Sequence, residues 1–244
     1  MSMERELFAK EILGPIGQNS RMLGDSEVAG FRAITGHRYS GELMVVGRAT
    51  NGWLHAVRTS ELADADTCDR HASKVYEEAA DACPMKWVSD IWADPNSKYK
   101  TGRSAFWRVI RAVLGNLDVV SPNDAAWPSH LAWTNLYKVA PYEGGNPNAA
   151  LCKAQLPGCI SLLQAEIAAR RPRRILFLTG HGWAKPFLDA GAPGVKPVDG
   201  HRYVNAVGTM TVGDNSARVV VAEHPQGKAE DVWVREVTGA CRAA

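Results

Sequence analysis

The sequence predicts an α/β fold, three α/β/α layers around a central, mostly parallel four-stranded sheet. Three observations lead there. Four short apolar runs recur, at Val45–Val46, Leu131–Trp133, Ile175–Leu178 and Val219–Ala222. Each is continuous rather than alternating, as parallel strands covered on both faces require. Helical patterns separate them, and strand, helix, strand, helix in that order favours a parallel sheet with helices on both sides.

Taken in order, residues 4–13 predict a short helix with Leu7, Ile12 and Leu13 available for burial. A strand follows at 42–46. The stretch 54–100 is polar and irregular apart from a helix near 68–81. Lys98, Lys100 and Arg103 form a small basic loop beside Gly102, between elements, where they could reach a nucleic-acid backbone. Ser104 is a favourable N-cap for a helix over 105–114, with Phe106, Val109, Ile110 and Val113 on one face. The second strand leads to Pro141-Tyr-Glu-Gly-Gly-Asn-Pro-Asn148, whose residues favour turns. A long helix over 150–169 carries Ile160, Leu163 and Ile167 in its apolar stripe. Beyond the third strand, 202–206 and 209–213 predict a hairpin turning at Val207-Gly208. The last strand covers 218–222 and the last helix 228–238. With no internal repeat or low-complexity tract, one domain over residues 1–244 is expected.

Bulk composition narrows the classes. The chain has 244 residues, 45% of them hydrophobic, enough for one large core. A formal charge of +2 and a pI near 8.3 do not by themselves mark nucleic-acid binding, although a local basic patch would suffice. No secretory signal pattern and no run near the roughly 18 apolar residues of a membrane helix is present. Five cysteines in irregular spacing, none in a C-x-x-C pair, suit a reducing cytoplasm and argue against a metal or disulfide framework. A cytoplasmic protein without metal or cofactor is expected, with no membrane or protein partner, as a monomer.

In an open parallel sheet, ligands bind at the carboxyl ends of the strands. The four segments found there carry the chemistry. Gly47-x-x-x-x-Gly52 has phosphate-loop spacing, but Trp53 and Leu54 stand where Lys and Ser or Thr would be needed. Asn51 is left as a short polar group suited to holding water or a sugar hydroxyl, or to supplying a left-handed turn. Asn135 offers an amide that can read a base edge or tie neighbouring loops. Gly180-x-Gly182 supplies two glycines of a dinucleotide fingerprint, with Lys185 in place of the third. Those glycines could still let a phosphate approach the helix start. In His224-Pro-Gln-Gly-Lys228 a histidine just past a buried strand can stabilise a departing anion, and Gly227 and Lys228 can hold phosphate. Trp53 adjoins the glycine loop and could stack on a base. Arg170, Arg171, Arg173 and Arg174 precede the third strand and read as a solvated rim.

The combined pattern resembles the uracil-DNA glycosylase superfamily over roughly residues 40–235. Thr134-Asn-Leu-Tyr-Lys138, Pro141, Asn146-Pro147, Cys159, Leu163, Glu166-Ile167, Pro172 and Ile175–Gly180 are similar to the branch that carries an iron–sulfur cluster. Gly102-Arg-Ser-Ala-Phe106-Trp107 is similar to a segment of the mismatch-specific branch, and His224-Pro225 to the second catalytic motif. The chain departs from the family at three places. Ala49 stands where the first motif places its catalytic Asp or Asn, and Asn51 comes two residues later. Only Cys159 matches a cluster ligand, so no cluster is expected. Gln226-Gly-Lys replaces the usual residues after His-Pro.

The resemblance implies a single uracil-DNA glycosylase-like domain that flips a nucleotide from DNA and cleaves its N-glycosidic bond. Asn51 and His224 would be catalytic, Gly47, Trp53 and Asn135 would hold the base, and Gly182, Lys185, Gly227 and Lys228 would hold phosphates. The small residues Ala49, Thr50 and Gly52 suggest a pocket for a C5-modified pyrimidine, such as the glucosylated 5-hydroxymethylcytosine removed by anti-phage defence glycosylases. Uracil or mismatched-thymine repair, or a non-catalytic nucleic-acid or nucleotide-binding module of the same fold, are the alternatives.

Overall fold

The computed structural model describes residues 2–77, 83–121 and 123–243. Its strands are β1 (Glu27–Gly30), β2 (Ile34–Thr35), β3 (Met44–Gly47), β4 (Ala56–Arg58), β5 (Ala132–Asn135), β6 (Val139–Pro141), β7 (Arg174–Phe177), β8 (Lys196–Pro197), β9 (Val204–Val212) and β10 (Asn215–Ala222). Its α-helices are α1 (Met3–Leu7), α2 (Gly14–Gln18), α3 (Ser20–Leu23), α4 (Ala65–Tyr76), α5 (Lys86–Asp90), α6 (Ala105–Asn116), α7 (Ala149–Arg170), α8 (His181–Gly191) and α9 (Glu230–Arg242). A π-helical stretch, Phe8–Leu13, joins α1 to α2.

The expected four-stranded, mostly parallel sheet is not what forms. A seven-stranded mixed sheet runs in the order β2-β5-β3-β7-β10-β9-β8, and a three-stranded antiparallel sheet in the order β4-β1-β6. β3 and β10 both lie parallel to β7, whereas β9 is antiparallel to β10, β8 to β9 and β2 to β5. The physical reason is clearest at β9. The predicted hairpin at Val207-Gly208 is one continuous nine-residue strand, and the true turn follows it before Asn215. Gly208 does not turn the chain; a Cβ there would sit 2.3 Å from the Gly194 carbonyl oxygen, so glycine is needed for close backbone approach. β2 and β8 have two residues each, too short to show periodicity.

Tertiary contacts divide the chain into two interleaved compact units. Unit 1 comprises Met1–Ala33, Gly47–Ala79 and Asn135–Ala169, and unit 2 comprises Ile34–Val46, Ala80–Thr134 and Arg170–Ala244. In unit 1 the antiparallel sheet joins the N-terminal helices, α4 and most of α7. Phe8, Ile12, Leu13 and Ile16 are buried there. The predicted helix near 68–81 matches α4 as far as Tyr76, and its continuation over 78–81 lies outside the described residues. The buried stripe of α7 includes Leu151, Cys159, Leu163 and Ile167 but also two polar residues, Gln155 and Glu166.

In unit 2, α8 and α9 contact β9 and β10, and α6 contacts α9. Ser104 takes the N-cap position of α6 with an extended backbone, although its hydroxyl makes no capping bond. Arg108 of α6 donates from Nε and Nη2 to the two carboxylate oxygens of Glu230 in α9. The arginine cluster secures its own end of the sheet: Arg171 pairs with Asp214, and Arg173 and Arg174 pair with Glu42. Among the described residues, no helix is long and apolar enough to cross a membrane.

Candidate functional site

In unit 1 two strand ends run side by side. The Gly47 carbonyl accepts from the Leu136 amide at 2.9 Å, and the Arg48 carbonyl from the Tyr137 amide at 3.0 Å. Asn135, at the end of β5, is 2% exposed, and its Nδ2 has no hydrogen-bond partner among the described residues. Thr50, in the loop after Gly47, is 4% exposed, and its hydroxyl also has none. A buried donor left unmade costs about 1–3 kcal/mol, so folded chains keep few of them. A ligand that brings the missing acceptor recovers that cost.

Asn51 is exposed and makes a specific contact, its Oδ1 accepting from the Gly145 amide at 2.6 Å. The side chain thereby ties the loop after β3 to the turn after β6. One lone pair of Oδ1 is committed, and an sp² oxygen has a second. Trp53 is half-buried and meets Phe31 edge-on, with ring centroids 5.3 Å apart.

Just beyond Asn135, Lys138 and Glu166 form an ion pair of 2.7 Å with both side chains fully buried. Gln155 completes the surroundings: its Oε1 accepts from the Lys138 and Val139 amides, and its Nε2 donates to the Val139 carbonyl. Sequence reasoning missed Gln155, because it sits in an apolar helix stripe 16 residues from Val139. Lys138 and Glu166 entered only through the family resemblance.

In unit 2, His224 stands two residues past β10. Its Nδ1 accepts from the Gln226 amide at 3.3 Å. A neutral imidazole that accepts at Nδ1 carries its hydrogen on Nε2, which makes that nitrogen a donor. The ring lies nearly parallel to Phe106, with centroids 6.4 Å apart. The Lys228 amide donates to the Pro225 carbonyl at 3.1 Å, closing a turn with Gly227 at its third position, φ +74°. That conformation favours glycine, so Gly227 has a backbone reason to be there.

The same loop is braced from several segments. Trp233 Nε1 donates to the Glu223 carbonyl at 2.8 Å, the Glu223 amide to the Tyr203 carbonyl at 2.9 Å, and the Ala229 amide to the Tyr203 hydroxyl at 3.3 Å. Asn205 Nδ2 donates to Glu223 Oε1 at 3.2 Å, while Asn205 Oδ1 accepts from the amide of His181, the first residue of α8. Gly182, the next residue, is exposed. Lys185 pairs with Asp189 at 2.5 Å and Lys228 lies 3.7 Å from Glu223, so each has an acidic neighbour that a phosphate would have to replace.

Unit 1 thus holds Gly47, Asn51, Trp53 and Asn135, and unit 2 holds Gly182, Lys185, His224, Gly227 and Lys228. Phe106, Asn205, Tyr203 and Trp233 went unread as site residues, since nothing local marks a partner far along the chain, and Thr50 was read only as a small residue of its loop. Among the described residues, no group of three or more His, Cys, Asp or Glu side chains is placed to hold a metal ion. Comparison with protein-family models and with curated proteins finds no match for the chain.

Proposed function

We propose that the protein is a DNA glycosylase that flips out a modified or damaged pyrimidine nucleotide and hydrolyses its N-glycosidic bond. The observation that carries this reading is the Asn135 amide, buried at a strand end with its Nδ2 unpartnered. Such a donor suits a carbonyl on the edge of an extruded base. Water attacks C1′, the electron pair of the C1′–N1 bond leaves with the base, the proton shed by the water is taken up by the departed base anion, and the products are an abasic site and the free base. Asn51 positions the water through the second lone pair of Oδ1 and supports positive charge on the sugar. His224 donates from Nε2 to the negative charge on the leaving base. Trp53 stacks on the base beside Gly47. Gly182, Lys185, Gly227 and Lys228 hold phosphates.

The substrate is a pyrimidine with a bulky, polar C5 substituent, of the kind carried by glucosylated 5-hydroxymethylcytosine in phage DNA. The small side chains of Ala49, Thr50 and Gly52 favour such a base, and the buried Thr50 hydroxyl suits a polar group on it. The enzyme works as a cytoplasmic monomer. A second reading, a non-catalytic nucleic-acid-binding module, draws on the bond between Asn51 Oδ1 and Gly145, which gives Asn51 a structural role.

The separating experiment compares Asn51→Ala and His224→Ala with the unaltered protein on DNA. In a glycosylase both variants keep DNA affinity and lose at least 10²-fold in excision rate, the scale of a removed transition-state donor. Wild-type protein that binds DNA and excises nothing supports the binding module.

A further inference from the structure

The segment leading into α6 is a braced loop with three cations on it. Thr101 is fully buried and donates its hydroxyl to the Val88 carbonyl at 2.6 Å. The Gly102 amide donates to the Trp92 carbonyl, and Arg108 Nη1 donates to the Gly102 carbonyl, each at 3.2 Å. A Cβ on Gly102 would lie 2.4 Å from the Trp92 oxygen, so the backbone is packed tightly there. The Arg103 and Ser104 amides close turns onto Lys100 and Thr101, and the Ser97 hydroxyl donates to the Tyr99 carbonyl.

On this backbone Lys98, Tyr99 and Arg103 are exposed and Lys100 is half-buried. Tyr99 is 51% exposed, unusual for so large a ring. Lys98, Lys100 and Arg103 form no ion pair among the described residues. The other cations of unit 2 that bear on the site differ: Arg108 is held by Glu230, Lys185 by Asp189 and Lys228 by Glu223. An unpaired cation on an ordered backbone can take a phosphate without first giving up a carboxylate. An exposed aromatic ring between such cations is the arrangement on which unpaired bases stack. The loop also runs straight into α6, whose second residue, Phe106, lies against His224.

We propose that this loop grips a DNA strand, with Lys98, Lys100 and Arg103 on successive phosphates and Tyr99 stacked on an unpaired base. Its choice of DNA rests on the glycosylase reading. The test is fluorescence anisotropy of the full chain with a labelled oligothymidylate of about 20 nucleotides and a duplex of the same length, over a range of salt concentrations. The variants are Lys98→Ala/Lys100→Ala/Arg103→Ala and Tyr99→Ala. A charge-matched control, Lys10→Ala/Arg70→Ala/Lys86→Ala, removes three cations that are already ion-paired.

The loop triple variant should bind the single strand at least tenfold more weakly than the control. Its slope of log K against log salt should be shallower by about 2, from roughly 0.7 per phosphate contact. Tyr99→Ala should lose about fivefold or more on the single strand with the slope unchanged. A loop triple variant that binds like the control, with an unchanged slope, overturns the proposal even if the wild-type protein excises a base. Weakened binding in a protein that excises no base supports the loop assignment and removes the glycosylase reading. Wild-type protein that binds neither DNA overturns both.

Discussion

After β10, the segment Glu223–Lys228 is held by side chains or main chain from Tyr203, Asn205 and Trp233, and its own turn closes on Pro225. After β3, the segment Gly47–Trp53 is held by main-chain bonds to Leu136 and Tyr137 and by Asn51 on Gly145. Both loops leave parallel neighbours of β7. They differ in what is left over. The first has its polar groups engaged by protein, while the second and its neighbour Asn135 keep two buried polar atoms unengaged, Thr50 Oγ1 and Asn135 Nδ2. A loop finished by its own protein presents a preset group, here His224. In the proposed glycosylase, the unmet hydrogen-bonding capacity of the second is what a ligand would complete.

The largest expected effect comes from a paired charge buried in unit 1. At Lys138–Glu166 both side chains are fully buried and the two charges meet at 2.7 Å. Glu166→Ala should cost about 3–5 kcal/mol in urea unfolding, because it strands a buried charge. A loss below about 1 kcal/mol would remove the contrast between this pair and Asn135.

Acid provides the second handle. Burial, followed by the charges of His55 and Lys74, pulls the His71 pKa down from 6.5 to about 4. The folded state then binds fewer protons than the unfolded chain between those values, so stability falls as pH drops from about 6.5 to 4. The loss is up to about 3 kcal/mol. Urea midpoints measured across that range should show it, and His71→Leu should flatten the dependence.

In the braced loop, Trp233→Phe removes the bond to the Glu223 carbonyl and should cost about 1–2 kcal/mol. Thermal unfolding followed by fluorescence of the remaining tryptophans would register it. The smallest change in stability comes from the unfinished loop. Thr50→Val deletes an unpartnered buried hydroxyl and should leave stability unchanged or raise it by up to about 1 kcal/mol. Excision of a C5-modified base should nevertheless fall at least tenfold. A stability loss as large as that of Trp233→Phe would place both loops in the same state.

How much of this was legible in the sequence follows from range. β3, β5, β7 and β10 show as apolar runs because buried strands need no alternation. α6 shows through its periodicity, whereas α7 was read from Ile160, Leu163 and Ile167, of which only the last two are buried. β9 was split because Gly208 resembles a turn residue, and its packing against Gly194 is visible only in three dimensions. β1, β4 and β6 carry three or four residues each, so their separate sheet left no pattern; the four-stranded architecture failed through these, the split β9 and the two-residue β2 and β8. At the site, Asn135 and His224 were readable as polar residues at the ends of apolar runs. Whether each is satisfied was not, since that depends on Gln226, Asn205, Tyr203 and Trp233 for one and, for the other, on Asn135 Nδ2 finding no acceptor among the described residues.

The most direct measurement incubates the protein with duplexes that contain uracil, mismatched thymine, 5-hydroxymethylcytosine or its glucosylated form, followed by alkali. Strand cleavage at the modified cytosine, lost in His224→Ala, is the predicted result. Intact strands with all four duplexes would contradict the glycosylase reading.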